Sequence, residues 1–354
     1  MSEGKLKITI NGIEAACEKD ETILQVAKRL GVRIPTLCHD DRLEPYGGCR
    51  LCLVHIKGVA RPLSACTTPV ADNMAVTTEN DTIRKIRKTI VELLLSNHPN
   101  DCMRCEKSGD CTLQDLSYEY GVDGSRLEGE RWDLPVREAN PFIRYEPNKC
   151  ILCGRCVRIC NEVVMAGTID LTGRGFYARP DTAFGRPRTL ANCEFCGQCV
   201  STCPTGALTD KKSMGRGRAC EMKKVRTTCG YCGTGCNLDL NVRDGRVVKV
   251  TSAYDAPVNH GNLCIKGRYG YDFIHSFERI KSPLIRKGVK FVTASWDEAL
   301  EVMASRFKAL LKKYGPDAVG AFSSARCTNE ENFLLAKWVR TSLGSNNVDN
   351  CARV

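Results

Sequence analysis

The sequence predicts a multidomain α+β protein, and three observations carry that prediction. At 354 residues the chain is long enough for several small domains. Its 23 cysteines mostly recur two or three residues apart, in short clusters spread along the chain. Hairpin patterns and capped helices alternate with those clusters.

Hydrophobic content of 42% and charge of 26% are those of an ordinary globular protein. The start, "MSEGKLKITI", has neither the apolar run of a secretory leader nor an Arg/Ser-rich transit pattern. No window approaches 18 uninterrupted apolar residues, so no transmembrane segment is expected and the location expected is cytoplasmic. In such a chain clustered cysteines point to metal ligation rather than disulfides, and the spacing within each cluster is too tight for good disulfide geometry.

Residues 1–80 are expected to form a β-grasp domain. "KLKITI" alternates, Asn11-Gly12 is a favoured two-residue turn, and "IEAACE" returns. Thr22 and Gln25 make a capping box for "ILQVAKRL", which Gly31 closes. Cys38, Cys49, Cys52 and Cys66 follow as C-x10-C-x2-C-x13-C, approached by the glycine-rich "YGGCRLC". Four thiolates with backbone N–H groups nearby suit a 2Fe-2S cluster, although zinc also accepts four thiolates. Cys17 lies outside the pattern and is expected in the core.

Residues 81–125 open with an amphipathic helix carrying Ile83, Ile86, Ile90 and Leu94 on one face. It delivers His98, Cys102, Cys105 and Cys111, a His/Cys3 set suited to a 4Fe-4S cluster; zinc would accept this set too. Residues 140–212 carry the strongest signal. Cys150, Cys153, Cys156 and Cys160 form C-x2-C-x2-C-x3-C, and Cys193, Cys196, Cys199 and Cys203 repeat it before Pro204. In this two-cluster ferredoxin arrangement each run lends its last cysteine to the other cluster. One 4Fe-4S cluster is therefore expected on Cys150, Cys153, Cys156 and Cys203, the other on Cys193, Cys196, Cys199 and Cys160.

"GRGR" at 215–218 reads as a linker, and Cys220 has no partner at ligand spacing. Residues 222–280 are expected to be a small β-rich domain. Cys229, Cys232 and Cys236 precede a hairpin with a "RDGR" turn, and Cys264 completes a fourth 4Fe-4S set. In residues 281–354, Ser295 and Glu298 cap a helix running to about Tyr314, "AVGAF" reads as a buried strand, 329–343 as a helix and "NNVDN" as a parallel strand. Leu334, Leu335, Trp338 and Val339 give that helix an apolar face, so this α/β layer reads as incomplete.

The formal charge of +11 invites a nucleic-acid partner, but the clusters account for it. Nineteen thiolates bring −19 and five oxidised cores bring +10, which leaves roughly +2. No nucleic-acid partner is expected, and no G-x-G-x-x-G or P-loop marks a nucleotide site.

Over the first 210 or so residues the ordered motifs resemble the large iron–sulfur subunit of respiratory complex I, a region shared with iron-only hydrogenases and NAD-linked formate dehydrogenases. From "CGYCGTGC…NLCIKG" onward the chain resembles the formate dehydrogenase catalytic (alpha) subunits of the molybdopterin oxidoreductase family. The resemblance implies reversible oxidation of formate to CO2 on molybdenum or tungsten held by a bis-molybdopterin guanine dinucleotide. It implies electron transfer along the clusters to a flavin/NAD-binding diaphorase-type iron–sulfur subunit, or to ferredoxin or a hydrogenase subunit. It gives Lys266, two residues after Cys264, an electron-relay or pterin-contact role. In the family the metal-ligating selenocysteine or cysteine directly follows a "CARV" phrase, which here ends at Val354. The expectation is a UGA codon read as stop, with a fragment or a sequencing break as the alternatives and this chain alone inactive toward formate. Translating the nucleotide sequence past Val354 tests it: a stop codon other than UGA overturns the reading. A complex I large iron–sulfur subunit and a stand-alone polyferredoxin-like carrier are the other functional readings.

Overall fold

A computed structural model of the chain describes residues 6–351; Val354 and the two residues before it lie outside that range. The chain divides into two compact units. The first runs to Lys223 and includes Asn241–Arg243; the second comprises Lys224–Leu240 and the chain from Asp244 on.

In the first unit, β1 (Leu6–Ile10) and β2 (Ile13–Cys17) form the hairpin, with Asn11 and Gly12 both at positive φ, as a two-residue turn that follows the strand twist requires. The capping box on α1 (Ile23–Arg29) is closed in both directions: Gln25 N–H donates to Thr22 Oγ1 and Thr22 N–H to Gln25 Oε1. β3 (Leu53–Ile56), β4 (Leu63–Ser64) and β5 (Met74–Thr77) complete a sheet of order β2-β1-β5-β3-β4, with β1 and β5 parallel. Ile8, Ile10, Ile23, Val26, Val54 and Val76 pack between sheet and helix, with Cys17 in the same core. Burial of side chains of this size stabilises by roughly 1.5–3 kcal/mol each.

Asn80 caps α2 (Asp81–Ser96) by accepting from Ile83 N–H. The buried face of α2 is not the one carried by Ile86, Ile90 and Leu94, which are only partly covered. It runs through Ile83, Arg87, Val91 and Leu95. The cause is Arg87, which periodicity places on the polar side. Its guanidinium is buried and donates to Leu51 O, Leu53 O and Thr78 O, each at 2.9 Å, and pairs with Glu79. These bonds rotate the helix until a cation faces inward. Val91 and Leu95 meet α3 (Thr112–Tyr120) in a core of Leu113, Leu116 and Tyr120.

β6 (Ile143–Tyr145), α4 (Arg155–Arg158), β7 (Asp170–Thr172), β8 (Arg179–Asp181), α5 (Gln198–Thr202) and β9 (Leu208–Asp210) follow. β6 pairs antiparallel with β9, and β7 with β8. Ile143, Tyr145, Val157, Ile159 and Leu208 form the core, together with Cys156, Cys199 and Cys203.

Largely within the second unit, β10 (Lys223–Thr228), β11 (Asn237–Arg243) and β12 (Arg246–Ser252) form a sheet in that order, and the turn between the last two holds Asp244 and Gly245 at positive φ. α6 (Ile265–Tyr269), the hairpin β13 (Leu284–Lys287) with β14 (Lys290–Thr293), and α7 (Trp296–Tyr314) follow. β15 (Ala321–Ser323), α8 (Asn329–Ser342) and β16 (Val348–Asn350) make one βαβ unit with parallel strands. "AVGAF" is a correction: only Val319 is buried there, and Phe322 is 86% exposed because one face of a two-stranded sheet has no cover. On α8, Val339 is buried while Leu334 and Trp338 are exposed.

Arg87→Met should leave three carbonyls around Cys52 without their donor. Urea unfolding should show a loss on the order of 3 kcal/mol, against under about 0.5 kcal/mol for the exposed control Lys88→Met.

Candidate functional site: cysteine-lined cavities

The loop after α1 carries Cys38, Cys49 and Cys52, and the turn after β4 brings Cys66 to them. Cys52 Sγ lies 3.3 Å from Cys66 Sγ, and Cys49 N–H donates to Cys38 Sγ at 3.4 Å. Leu37 N–H donates to Cys49 Sγ at 3.4 Å. The Cys38 side chain and the N–H groups of Leu51 and Leu37 pull the Cys49 thiol down, while its pairing with Cys49 and burial push Cys38 up. Such N–H donors stabilise sulfur as an anion.

His98 follows α2 and is buried; burial lowers its pKa, which keeps the imidazole neutral and able to ligate. Its Nε2 has no hydrogen-bond partner. With Cys102 and Cys111 it lines one cavity, and the Cys105 charge bears on Cys111, whose thiol burial pushes up to about 11. Gly206 packs against this set: a Cβ there would stand 2.5 Å from Cys105 Sγ, so only glycine lets the 203–207 loop approach.

The two C-x2-C-x2-C-x3-C runs fold as a structural repeat. Leu152 and Phe195, the second residue after the first cysteine of each run, both have φ of 53°, and Gly154 and Gly197 have φ of 70° and 71°. Left-handed Leu and Phe are uncommon, and here they turn backbone N–H groups toward sulfur, as Leu152 N–H does to Cys150 Sγ at 3.4 Å. Cys150, Cys153, Cys156 and Cys203 line one small cavity, and Cys160, Cys193, Cys196 and Cys199 line another. Burial pushes the Cys150 and Cys153 thiols up to about 12.

In the second unit Cys229, Cys232, Cys236 and Cys264 come together more openly, with Cys232 and Cys264 exposed. Burial raises the Cys236 thiol and the charges of the other three cysteines add to it. Thr234 lowers Cys232, helped by the charges of Lys266 and Arg326. Lys266 thus stands beside the cysteine set, exposed, one residue into α6. Cys220 is exposed and apart, and Cys351 lies 3.5 Å from Ser324 Oγ.

Among the described residues no three His, Cys, Asp or Glu side chains converge on a point suited to one metal ion. The cysteines of the ferredoxin-like repeat instead line two small cavities. Buried thiols, N–H groups aimed at sulfur and an orphaned imidazole nitrogen fit iron–sulfur clusters as donor sets.

Periodicity and spacing did not reveal what joins these sites. Asp40, two residues after Cys38, is buried and accepts from Arg42 at 2.8 Å, Arg155 at 3.0 Å and Thr202 at 2.6 Å. Burial raises its pKa, but those bonds and charges outweigh it and hold the carboxyl far below the usual range. Arg158 donates to Cys38 O and to Glu44 O, and lies 4.7 Å over the Tyr46 ring. The 2Fe-2S-type loop is thereby fastened to the ferredoxin-like repeat. Lys149, buried beside Cys150, is held by Asp101 at 3.2 Å and Glu146 at 3.0 Å.

Fold and sites together define a multidomain iron–sulfur electron-transfer protein. Five family models match along the chain. They are the 2Fe-2S iron-sulfur cluster binding domain (3–81), the NADH-ubiquinone oxidoreductase-G iron-sulfur binding region (87–126), the ferredoxin-like domain of NADH-quinone oxidoreductase subunit 3 (140–209), the molybdopterin oxidoreductase Fe4S4 domain (222–276) and molybdopterin oxidoreductase (279–354). The chain thus joins NADH-quinone oxidoreductase G-like iron–sulfur domains to molybdopterin oxidoreductase domains. It is 42% identical over 349 residues to the NADPH-Fe(3+) oxidoreductase subunit alpha of Geobacter sulfurreducens, covering 99% of this chain and 40% of that protein. Identity to a G-type NADH-quinone oxidoreductase subunit of Rhizobium meliloti is 39%, covering 98% and 40%. A Staphylococcus aureus protein provisionally named a formate dehydrogenase is 31% identical, covering 98% and 39%. The chain thus spans about two fifths of the curated relatives it matches. A chain of a NAD+-reducing [NiFe]-hydrogenase crystal structure superposes with a TM-score of 0.55 at 30% identity, covering 58% of this chain and 87% of that one. No described helix is long and apolar enough to cross a membrane.

Asp40→Asn should leave Arg42 and Arg155 facing a neutral acceptor inside the junction. Denaturant unfolding should show a loss of about 3–5 kcal/mol, and limited proteolysis should cut the 38–49 loop first.

Proposed function

We propose that this chain is the iron–sulfur electron-transfer portion of a molybdenum or tungsten bis-pterin formate dehydrogenase. The observation that supports it is the set of cysteine-rich sites, two of them cavities each lined by three cysteines of one run and the last cysteine of the other, in a chain that also carries molybdopterin oxidoreductase domains. Cys38, Cys49, Cys52 and Cys66 hold a 2Fe-2S cluster. His98 with Cys102, Cys105 and Cys111 holds a 4Fe-4S cluster. Cys150, Cys153, Cys156 and Cys203 hold the next, Cys160, Cys193, Cys196 and Cys199 another, and Cys229, Cys232, Cys236 and Cys264 the last. A bound pterin–metal centre would supply the two-electron oxidation of formate to CO2. The chain's own part is to neutralise and space the clusters. Lys266, whose charge bears on Cys232, would take the electron-relay or pterin-contact role that the resemblance implies. The likeness to a chain of a NAD+-reducing hydrogenase supports a diaphorase-type partner, and a cytoplasmic location accords with that.

A second reading is favoured by the relatives at 42% and 39% identity: the same wire serving a pyridine-nucleotide oxidoreductase whose substrate is not formate. One preparation separates the two. The iron-loaded chain should bind about 18 iron atoms, and Cys203→Ser should remove about four of them. The full-length protein should reduce viologen with formate. Viologen reduction by NADPH or NADH but not by formate selects the second reading, and zinc in place of iron overturns both.

A further inference from the structure

The two ferredoxin-type cavities share loop geometry, but a single guanidinium distinguishes them. Arg188 stands in the segment between the cysteine runs, on a short turn (Arg188–Leu190) that Pro187 initiates. Its Nη1 donates to Cys199 Sγ at 3.4 Å, and its guanidinium lies 5.8 Å over the Tyr145 ring. Among the described residues it has no carboxylate partner. Asp181 and Glu138 line the neighbouring cavity with it, but Asp181 pairs with Arg137, and Glu138 with Arg144 at 3.2 Å.

Three other cations near the ferredoxin-type cavities are already engaged. Arg155 is paired with Asp40, Lys149 with Asp101 and Glu146, and Arg158 donates to two carbonyls. Cys156, which occupies in the first run the place of Cys199 in the second, receives no guanidinium bond among the described residues. Arg188 therefore directs an uncompensated positive charge and an N–H···S bond at one cluster. Reduction adds one electron to a core already made anionic by four thiolates. A cation and a donor at sulfur stabilise that reduced form more than the oxidised one.

We propose that Arg188 raises the reduction potential of the cluster on Cys160, Cys193, Cys196 and Cys199, making it a holding point for electrons. Arg188 is a positioning residue acting through Cys199, with no need to touch substrate. The inference rests on the ligand assignment above, so the experiment separates the two failures. EPR-monitored redox titration of the iron-loaded chain gives the four-iron couples, and Cys199→Ser identifies the signal of this cluster by its loss or altered shape. Arg188→Met should lower that couple at least tenfold in its reduction equilibrium, which is 59 mV for one electron. Arg188→Lys should recover more than half of the shift. The couple of the cluster on Cys150, Cys153, Cys156 and Cys203 should move less. If Arg188→Met fails to retain iron, Arg188→Gln carries the test, since it keeps a polar donor and loses only the charge. A full iron count with the couple shifted less than tenfold in the charge-free variant that retains iron overturns the inference. A signal unaffected by Cys199→Ser overturns the ligand assignment instead.

Discussion

The constraint on which this structure depends is that sulfur must be kept anionic where water is excluded. Four thiols crowd each ferredoxin-type cavity, and burial, with the charges of neighbouring cysteines, pushes Cys150 and Cys153 up to about 12. Without compensation they would hold their protons, and a neutral thiol is a poor ligand. The loops answer locally with backbone N–H groups, and only a left-handed residue between two cysteines can turn those groups inward. That is why Leu152 and Phe195 accept a conformation that costs a bulky residue on the order of 1–2 kcal/mol. Cationic iron cores supply the rest of the compensation.

A few Lys and Arg side chains act at longer range, inside the fold. Spread over a surface, such charges would suggest a polyanionic partner. These instead have each a fixed task. Arg87 ties three carbonyls around Cys52, Arg155 and Arg42 close on Asp40, and Lys149 sits between two carboxylates beside Cys150. Buried ion pairs are seldom net stabilisers compared with apolar packing, but they fix geometry wherever removing one partner is costly. Here the geometry fixed is the spacing between redox sites. The Asp40 junction and the Arg158 bond to Cys38 O join the β-grasp loop to the ferredoxin-like repeat within one compact unit.

Much of this was legible in the sequence because cysteine spacing is a geometric statement. C-x2-C-x2-C-x3-C twice over is enough to anticipate that Cys203 joins the first run and Cys160 the second, and the cavities gather those residues. Two-residue turns and capping boxes were legible for the same reason: a few atoms at fixed separation decide them. What escaped was whatever depends on residues distant in the chain. The periodicity of α2 put Ile86 and Ile90 inward because it weighs hydrophobicity and cannot know that Leu51, Leu53 and Thr78 leave carbonyls needing a donor. Asp40 reads as a loop acid until Thr202, 162 residues away, is seen at 2.6 Å. "AVGAF" reads as a buried strand because composition cannot count the strands available to cover it.

These two kinds of information divide the work of an electron-transfer chain. Ligands are written locally, since four sulfurs on short loops specify a cluster almost regardless of the scaffold. Function also needs the clusters held at graded potentials and fixed separations, and neither property is local. Gly206 shows the link: the loop carrying Cys203 also approaches Cys105 so closely that a methyl group would collide with its sulfur. A residue invisible to any ligand motif thus sets how near the His98 set lies to the first ferredoxin-type cavity. Arg188 does for charge what Gly206 does for distance. Two proteins with identical cysteine motifs can therefore differ in where electrons rest, and the differences lie in the residues between the motifs.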